Sequence, residues 1–369
     1  MTYKTIDLCA GIGGMRRGYE LAGNFVNVLS AENDLTACKI YKHLFGDDPY
    51  NDITKTEFKD KVKKIDYDIL LAGFPCQAFS RAGKQKGFED EERGIIFHHI
   101  EEIIRDTKPK AFLLENVDHL LTHDDGNTIA HILNTLTKDL KYKIIGVSET
   151  ENKKMVYSAK TLVRNSKNFG VPQNRPRIYL MGFRNDIAKN FGNSNFELPL
   201  KSEFTVYNSL TDVLYTDVKD RYFMSSGYLE TLEKHKARQK LNGNGYGYRI
   251  VNSKEIERPI ANTLLATGGS GKERNLIYDE KKGVAGKIIQ GKHTPLNSKH
   301  IRVMTPEEWG KLQGFINYAF ITNDKDMFAF PDGIKDAAKY KVFGNAVTIP
   351  VIETLAKYMK SILDIYCTE

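Results

Sequence analysis

One cysteine of this sequence has neighbours that would favour reactivity. Cys76 follows an apolar run at 69–72, which has the composition of a buried strand, and it comes directly after Pro75. Proline fixes its own φ and restricts the residue before it, so the thiol would be held in a set direction. The next residues, 81–88, have the composition of a mobile basic loop, and basic flanks favour the thiolate. The pattern predicts a nucleophile, and a buried structural cysteine is the alternative.

A carboxyl and two guanidinium groups could assist such a nucleophile. Glu115 comes directly after the apolar run 111–114, so we expect it at the same sheet edge as Cys76. A partly desolvated carboxyl can hold a proton and act as an acid. Arg175 and Arg177 would point the same way in an extended segment, and such a pair suits a phosphate, carboxylate or carbonyl. Taken singly, the carboxyl could be a helix cap and the arginines could face solvent.

A glycine-rich turn near the N-terminus predicts a ligand of the nucleotide type. The sequence D-L-C-A-G-I-G-G at 7–14 combines an apolar run with glycines that permit a tight turn and close approach of a ligand. Its spacing, G-x-G-G, is not the dinucleotide pattern G-x-G-x-x-G. Glu32 closes the next apolar run and could accept hydrogen bonds from ribose hydroxyls, and Asp52 could reach an adenine amino group. An ordinary strand-helix turn is the alternative.

These residues need a scaffold that brings strand ends together. Helix-like stretches at 14–22 and 95–107 alternate with candidate strands at 5–9, 26–31, 69–72, 111–114 and 178–183. This alternation predicts an α/β fold with a mainly parallel sheet, in which ligands bind at the carboxyl ends of the strands.

The composition narrows the class of protein. The chain has 369 residues, of which 41% are hydrophobic and 27% charged, as in a globular protein of about two domains. No run reaches the roughly 18 apolar residues that span a bilayer, and the N-terminus does not resemble a signal peptide, so we expect a cytoplasmic protein. The cysteines lie far apart, which predicts neither a disulfide framework nor a metal site. They are Cys9, Cys38, Cys76 and Cys367.

The character of the chain changes at about residue 184. Residues 184–300 are rich in Asn, Gly, Lys, Ser and Tyr, and the stretch 230–302 carries 15 Lys and Arg against 7 Asp and Glu. Such a basic excess suits a phosphate-binding surface, and a lysine-rich solvated face is the alternative. A helical pattern resumes with Thr305 as N-cap and Pro306 in the first turn. We therefore expect three segments, at 1–183, 184–300 and 301–369.

Together the motifs resemble the bacterial C5-cytosine DNA methyltransferase family of restriction-modification type. The matches follow the order of the family along nearly the whole chain. They are D-L-C-A-G-I-G-G at 7–14, G-F-P-C-Q-A-F-S at 73–80, E-N-V at 115–117, Q-N-R-P-R at 173–177, R-V-M-T-P-E-E-W-G-K-L-Q-G-F at 302–315 and F-G-N-A-V at 343–347.

The resemblance implies a Rossmann-like S-adenosylmethionine-dependent methyltransferase sheet with helices on both faces, plus a smaller irregular target-recognition domain at 184–300. Residues 301–369 would return to the catalytic domain. Cys76 would add to C6 of a flipped-out cytosine, Glu115 would supply a proton near N3, and C5 would then take the methyl group of S-adenosylmethionine. Arg177 would contact the pyrimidine carbonyl oxygen, and Arg175 would support the Cys76 loop and its phosphate neighbourhood.

The same resemblance assigns the remaining site residues. The cofactor, which leaves as S-adenosylhomocysteine, would bind to Cys9, Ala10, Gly11, Gly13, Gly14, Glu32, Asn33, Asp52, Ile53, Pro75, Asn345, Ala346 and Val347. Contacts to DNA are predicted for Ser80, Arg81, Lys84, Gln85, Arg249, Thr263, Leu264, Lys272 and Arg274, mainly in loops at 242–249 and 267–274. Many members of the family carry Phe where this chain has Cys9.

Double-stranded DNA is the expected partner, and we expect no membrane association and a monomer. The family also allows for a functionally paired restriction endonuclease that forms no stable complex with the chain. Cytosine methylation in RNA is disfavoured, because the tRNA-modifying relatives carry a Cys-Phe-Thr signature that is not found here. A non-catalytic DNA-binding regulator would not need Cys76, Glu115 and the arginine pair, and a nicotinamide-dependent oxidoreductase would need a better dinucleotide fingerprint.

Overall fold

A computed structural model describes residues 1–74, 95–152, 154–192, 194–243, 247–267 and 272–367. Six residues with a predicted role lie outside them, namely Pro75, Cys76, Ser80, Arg81, Lys84 and Gln85. Within the described residues, no helix combines the length and the apolar character needed to cross a bilayer.

The described strands form one large sheet and several two-stranded pairs. The large sheet has the order β2-β1-β3-β4-β10-β5, with β8 also paired to β10. The strands are β1 (Tyr3–Leu8), β2 (Phe25–Ala31), β3 (Ile69–Gly73), β4 (Ala111–Val117), β5 (Tyr142–Ile144), β6 (Ser148–Glu149), β7 (Met155–Val156), β8 (Val163–Asn165), β9 (Gln173–Asn174), β10 (Pro176–Arg184), β11 (Ala261–Asn262), β12 (Leu276–Tyr278), β13 (Ile301–Val303), β14 (Ile321–Thr322) and β15 (Lys325–Asp326).

The large sheet is mainly parallel, as predicted, and one of its strands is reversed. Strands β1 to β4 are parallel to one another, whereas β10 is antiparallel to β4, β5 and β8. A parallel connection needs a crossover of about a dozen or more residues. Only residues 166–175 join β8 to β10, so these two strands pair antiparallel. The five predicted strands all exist, as β1 to β4 and β10.

Helices cover both faces of the sheet, as predicted. Alternate side chains of each strand enter opposite cores: Leu70 and Phe112 face α3, α4 and α5, whereas Leu71 and Leu113 face α1 and α12. The helices are α1 (Gly14–Ala22), α2 (Leu35–Phe45), α3 (Thr56–Lys63), α4 (Ile95–Thr107), α5 (Asn127–Asn134), α6 (Ala159–Leu162), α7 (Asn185–Ala188), α8 (Leu210–Val213), α9 (Ser226–Leu241), α10 (Pro306–Leu312), α11 (Asp336–Asn345) and α12 (Ile349–Tyr366).

The last helix packs closely against the first. A Cβ on Gly18 of α1 would lie 2.6 Å from Cβ of Ile352 in α12, so only glycine allows this approach. Apolar side chains of α12, among them Leu355 and Met359, fill the core between the two helices and the sheet. The C-terminal segment therefore returns to the N-terminal half of the chain.

A third core joins the middle of the chain to both ends. It combines Ala37 and Ile40 of α2, Val251 and Leu264 of the middle region, and Trp309 of α10. Strand β11 also pairs with β9, and β12 pairs with β13. The boundaries at 184 and 300 stay a prediction, and the middle region shares backbone pairing and a core with its neighbours.

A buried ion cluster ties the middle region to α10. Both ends of the Glu308 carboxylate bind Arg302, at 2.9 Å from Nη1 to Oε2 and 2.8 Å from Nη2 to Oε1, and Arg302 Nε binds Asp279 at 2.6 Å. The backbone N–H groups of Thr305 and Tyr215 also donate to Glu308, at 2.7 and 2.9 Å. Thr305 accepts from Glu308 N in return, which confirms the predicted N-cap.

We expect Glu308→Gln to lower the free energy of unfolding by about 3 kcal/mol, because it leaves part of the Arg302 charge buried without its partner. The measurement is urea denaturation at pH 7. Glu307→Gln is the matched control, since its carboxylate pairs with Lys339 in a partly exposed position and an exposed pair contributes at most about 1 kcal/mol. Equal losses in the two variants would contradict the assignment.

Candidate functional site

A cavity of about 650 Å³ lies at the carboxyl ends of the parallel strands. Its wall contains residues that follow β1, β2 and β3, such as Cys9, Glu32 and Phe74. Glu115, near the end of β4, and Arg177 of β10 complete one side. Open α/β sheets bind ligands at this edge, and here the chain segments predicted for cofactor and for catalysis meet in the same cavity.

The glycine-rich turn is fixed by the carboxylate of Glu32. Oε2 of Glu32 accepts the backbone N–H of Gly11 at 2.7 Å, and Oε1 accepts those of Asn33 and Asp34 at 2.9 and 2.8 Å. Gly11 has φ +56°, which favours glycine. Two carboxylate oxygens offer about four lone-pair sites, so the group can hold the turn and still accept a hydroxyl from a ligand.

Asp52 and Ile53 lie on the same wall as Glu32. Oδ1 of Asp52 accepts both the N–H and the hydroxyl of Thr54, at 2.9 and 2.8 Å. Burial raises the pKa of Asp52, but these two hydrogen bonds outweigh it and hold the pKa below its usual range. A charged carboxylate beside an apolar side chain suits an adenine ring with its amino group.

Cys9 also lines the cavity, in the strained left-handed conformation at φ +55°. Burial raises the pKa of its thiol well above the usual range, and the nearby carboxylates of Glu32 and Asp7 raise it further. The neutral thiol is a poor nucleophile. This agrees with a place in the cofactor turn rather than a catalytic role.

Five residues predicted to touch the cofactor are absent from the described wall of the cavity, and their contact with the cofactor stays a prediction. A Cβ on Gly13 would lie 2.3 Å from the Phe45 ring, and one on Gly14 would lie 2.8 Å from Val347 Cγ2. Close packing behind the turn therefore requires glycine at both positions. Ala10, Ala346 and Val347 are buried as well. Asn345, in contrast, is exposed to the cavity.

Glu115 and Arg177 form an ion pair at the other end of the cavity. Arg177 Nε lies 3.1 Å from Glu115 Oε1, and both side chains are nearly buried. Glu115 is inside β4, opposite Gly73 and Tyr179, rather than after the strand as predicted. Burial raises the pKa of the Glu115 carboxyl, while the guanidinium groups of Arg177 and Arg175 lower it, and the net direction is upward.

Asn116 fixes the chain at the last residue described before Cys76. Its Nδ2 donates to the carbonyl of Phe74 at 3.1 Å, and its Oδ1 accepts Val117 N at 2.8 Å. No separate role for this residue was predicted from the sequence, although it lies in the E-N-V motif. Its place in this motif was the feature of the sequence that could have indicated a role for Asn116.

Arg175 hydrogen-bonds to the backbone of distant segments, and its predicted support of the Cys76 loop and its phosphate neighbourhood stays a prediction. Its side chain is buried, and Nη1 donates to the carbonyl of Leu264 at 2.9 Å. Nη2 donates to the carbonyls of Gly344 and Ala346, at 3.0 and 2.8 Å. Burial, with a smaller contribution from the neighbouring charge of Arg177, lowers the pKa of Arg175 to about 9. The guanidinium therefore joins the middle region to the C-terminal segment, directly beside the Glu115 pair.

Leu264 belongs to the third core and is fully buried, and its contact with DNA stays a prediction. Thr263 is half-buried, and its hydroxyl donates to the carbonyl of Asn174 at 2.8 Å. Arg249 and Arg274 are exposed. These three keep their predicted contact with DNA as an expectation.

A second cavity, of about 760 Å³, lies between the middle region and α11. Lys272 and Lys292 both line it. The Lys272 ammonium lies 4.5 Å from the centre of the Tyr340 ring, and burial together with the charge of Lys272 lowers the pKa of Lys292. In the described part of the chain neither lysine has a carboxylate within 4.0 Å. Two half-buried positive charges on one wall favour an anionic ligand.

Within the described residues, no group of three or more His, Cys, Asp or Glu side chains could hold a metal ion.

Comparison with known proteins identifies the family. The family model for C-5 cytosine-specific DNA methylase matches residues 3–361. Type II methyltransferase M.HpaII of Haemophilus parainfluenzae is 41% identical over 355 residues, covering 95% of this chain and 87% of that protein. Type II methyltransferase M1.ScrFI of Lactococcus lactis subsp. cremoris is 38% identical over 362 residues, covering 98% and 79%.

Solved structures share the fold at low identity. A mutant DNMT2 of Spodoptera frugiperda has a TM-score of 0.68 and 19% identity, covering 98% of this chain and all of that one. A putative DNA modification methyltransferase encoded within an Escherichia coli prophage has a TM-score of 0.59 and 20% identity, with coverage of 98% and 100%. At such identity the likeness concerns the fold alone.

The family match over residues 3–361 includes all the described residues that line the cavity. The chain belongs to the C-5 cytosine-specific DNA methylases and is a DNA (cytosine-5-)-methyltransferase.

Proposed function

We propose that the protein methylates C5 of a cytosine flipped out of duplex DNA, with Cys76 as the nucleophile, as the modification enzyme of a Type II restriction-modification system. One observation carries the proposal: a single cavity joins the Glu115–Arg177 pair to the Glu32–Asp52 wall. Gly73 lies opposite Glu115 in the sheet and precedes Cys76 by three residues. The reactive thiol would therefore enter the same cavity.

The chemistry follows from the electron demand of cytosine. C5 is a poor nucleophile, and addition of the Cys76 thiolate to C6 makes it enamine-like. The ring then gains electron density, which a proton from Glu115 at N3 neutralises. After methylation, a water molecule takes the C5 proton, the C5–C6 double bond re-forms and the thiolate leaves, and N3 returns its proton to Glu115. Arg177, paired with Glu115, has the position to bind the pyrimidine carbonyl oxygen.

The cavity fits S-adenosylmethionine, which supplies the methyl group as an electrophile. Glu32 has about one lone-pair site left for a ribose hydroxyl, and the charged carboxylate of Asp52 suits the adenine amino group. Asn345 reaches the wall from α11. Replacement of the usual Phe by Cys9 leaves less aromatic surface for the adenine. These residues bind and orient the cofactor, and none of them takes part in proton transfer.

Duplex DNA would lie against the middle region. Arg249 and Arg274 are exposed there, and the second cavity presents Lys272 and Lys292 without carboxylate partners in the described residues. Such groups can neutralise backbone phosphates. A cytosine must leave the stacked duplex to reach Glu115, which is buried at the base of the catalytic cavity.

The setting of this activity is the bacterial cytoplasm, with the protein acting as a monomer. A paired restriction endonuclease would cleave the same sequence without binding the methyltransferase.

Methylation of RNA is the competing function. Equal amounts of duplex DNA and tRNA, offered with labelled S-adenosylmethionine, distinguish the two, and label in tRNA alone would reject the DNA proposal.

Replacement of the nucleophile tests the covalent step. Cys76→Ser should lower turnover by more than about 10³-fold while leaving DNA affinity within about twofold, because a hydroxyl is a far weaker nucleophile than a thiolate. A duplex with 5-fluorocytosine at the target should form an adduct with the unmodified chain that survives denaturing electrophoresis, since fluorine cannot leave as a proton does. Cys367→Ser is the control. An adduct that forms equally with the Cys76→Ser variant would contradict the mechanism.

The raised pKa of Glu115 gives a pH dependence with a definite sign. The protonated carboxyl is the active form, so this acid's contribution is complete at low pH and is lost as pH rises through its pKa. We expect Glu115→Gln to lower the rate of single-turnover methylation by about 10²-fold or more. The variant should also lose the decrease in this rate that deprotonation of Glu115 causes as the pH rises. The increase in the rate with pH that comes from formation of the Cys76 thiolate should remain. Glu149→Gln, at an exposed position, is the control. If the rate for Glu115→Gln still decreased at high pH as it does for the unmodified protein, the decrease would belong to another group.

The two lysines of the second cavity should contribute to DNA binding through phosphates. Lys272→Gln and Lys292→Gln should each reduce the slope of log affinity against log salt concentration by about 1, for all duplex sequences alike. Fluorescence anisotropy over a range of salt concentrations measures the slope. Lys282→Gln removes an exposed charge outside the wall of this cavity and is the control. Slopes that match the control would exclude phosphate contacts here.

A further inference from the structure

An ion pair spans two walls of the cofactor cavity. Lys341 Nζ of α11 lies 2.7 Å from Asp34 Oδ2, at the start of α2, and both residues line the cavity. The partners are 307 residues apart in the sequence. Their contact therefore links the C-terminal segment to the segment that carries Glu32.

The carboxylate partner is rigidly held. Oδ1 of Asp34 accepts the backbone N–H groups of Thr36 and Ala37, at 2.9 and 3.0 Å, as the N-cap of α2. The backbone N–H of Asp34 donates to Glu32 Oε1 at 2.8 Å. Asp34 is thus fixed relative to the carboxylate that we assign to the ribose.

The backbone of α11 is held as firmly on the opposite wall. A Cβ on Gly344 would lie 2.5 Å from the backbone of Ala266, and the Gly344 carbonyl accepts from Arg175. Asn345, one helical turn after Lys341, lines the same cavity. With both walls fixed, the flexible part of the bridge is the Lys341 side chain, which is 53% exposed.

We propose that the Lys341–Asp34 ion pair closes one side of the cofactor cavity and controls the rate at which S-adenosylmethionine enters and S-adenosylhomocysteine leaves. This inference rests on the proposed cofactor. Rotation of the lysine side chain opens the bridge without moving either wall. A half-exposed ion pair is weak and is screened by salt, so it opens often enough to permit turnover.

Release of S-adenosylhomocysteine tests the bridge without any methylation step. Lys341→Gln removes the cation, and Asp34→Asn removes the negative charge while keeping an oxygen that can cap α2. We expect each variant to release the ligand about 3- to 10-fold faster, as measured by stopped-flow displacement with excess S-adenosylmethionine. The double variant should be no faster than the singles, because both remove the same interaction. Raising the salt concentration should accelerate release from the unmodified protein alone.

Lys339→Gln is the matched control, since Lys339 is on the same helix but pairs with Glu307 and is absent from the described cavity wall. Release rates that equal the control in both variants overturn the inference, as do additive effects in the double variant. An effect of Lys341→Gln without one of Asp34→Asn also overturns it, because the lysine would then bind the ligand directly. Failure of the unmodified protein to bind S-adenosylhomocysteine rejects the proposed cofactor itself, which is a separate outcome.

Discussion

The arrangement of the site depends on one buried cation. Arg175 is 2% exposed, and its guanidinium satisfies three backbone carbonyls from two distant segments, at residues 264, 344 and 346. Burial of a charge costs free energy unless the charge is hydrogen-bonded. The buried guanidinium therefore favours the arrangement in which both segments present their carbonyls to it. Gln173 and Gln313 extend the same network, through bonds to Leu312, Phe343 and each other. The polar junction therefore selects one arrangement of the middle and C-terminal segments on the sheet.

This junction sets the geometry at both ends of the cavity. Arg175 immediately precedes β10. Two residues later, within β10, Arg177 pairs with Glu115. On its other side Arg175 holds the end of α11, from which Asn345 and Lys341 reach the cofactor wall. The same side chain also fixes Leu264, which precedes the basic residues Lys272 and Arg274 in the sequence. The segments proposed for catalysis, cofactor binding and DNA binding thus share one point of attachment.

Sequence patterns predicted elements and motif membership well, and side-chain direction less well. The five strands and the cap at Thr305 follow from local apolar periodicity and capping chemistry, which are encoded within a few residues. Gly13, Gly14 and Leu264 were assigned to ligands because they lie inside motifs, and the close packing around them was not predicted. Whether such a residue faces the cavity or the core depends on contacts with Phe45, Val347 or Arg175, which are distant in the sequence. The sequence did not specify which strand is reversed, since strand direction depends on connections rather than composition. The position of Cys76 stays a prediction.

The contrast between the two arginines explains how a carboxyl at this site can remain a proton donor. Burial alone would raise the pKa of Glu115 strongly, whereas an ion pair alone would keep the group charged. Arg177 contacts the carboxylate directly and limits the rise. Arg175, equally buried, directs its hydrogen bonds to carbonyls, so it adds only a longer-range charge to the pair. With Arg175 committed to the backbone, Glu115 keeps a pKa above the ordinary carboxyl range. A second direct pair would favour the carboxylate and remove the proton that the proposed transfer to N3 requires.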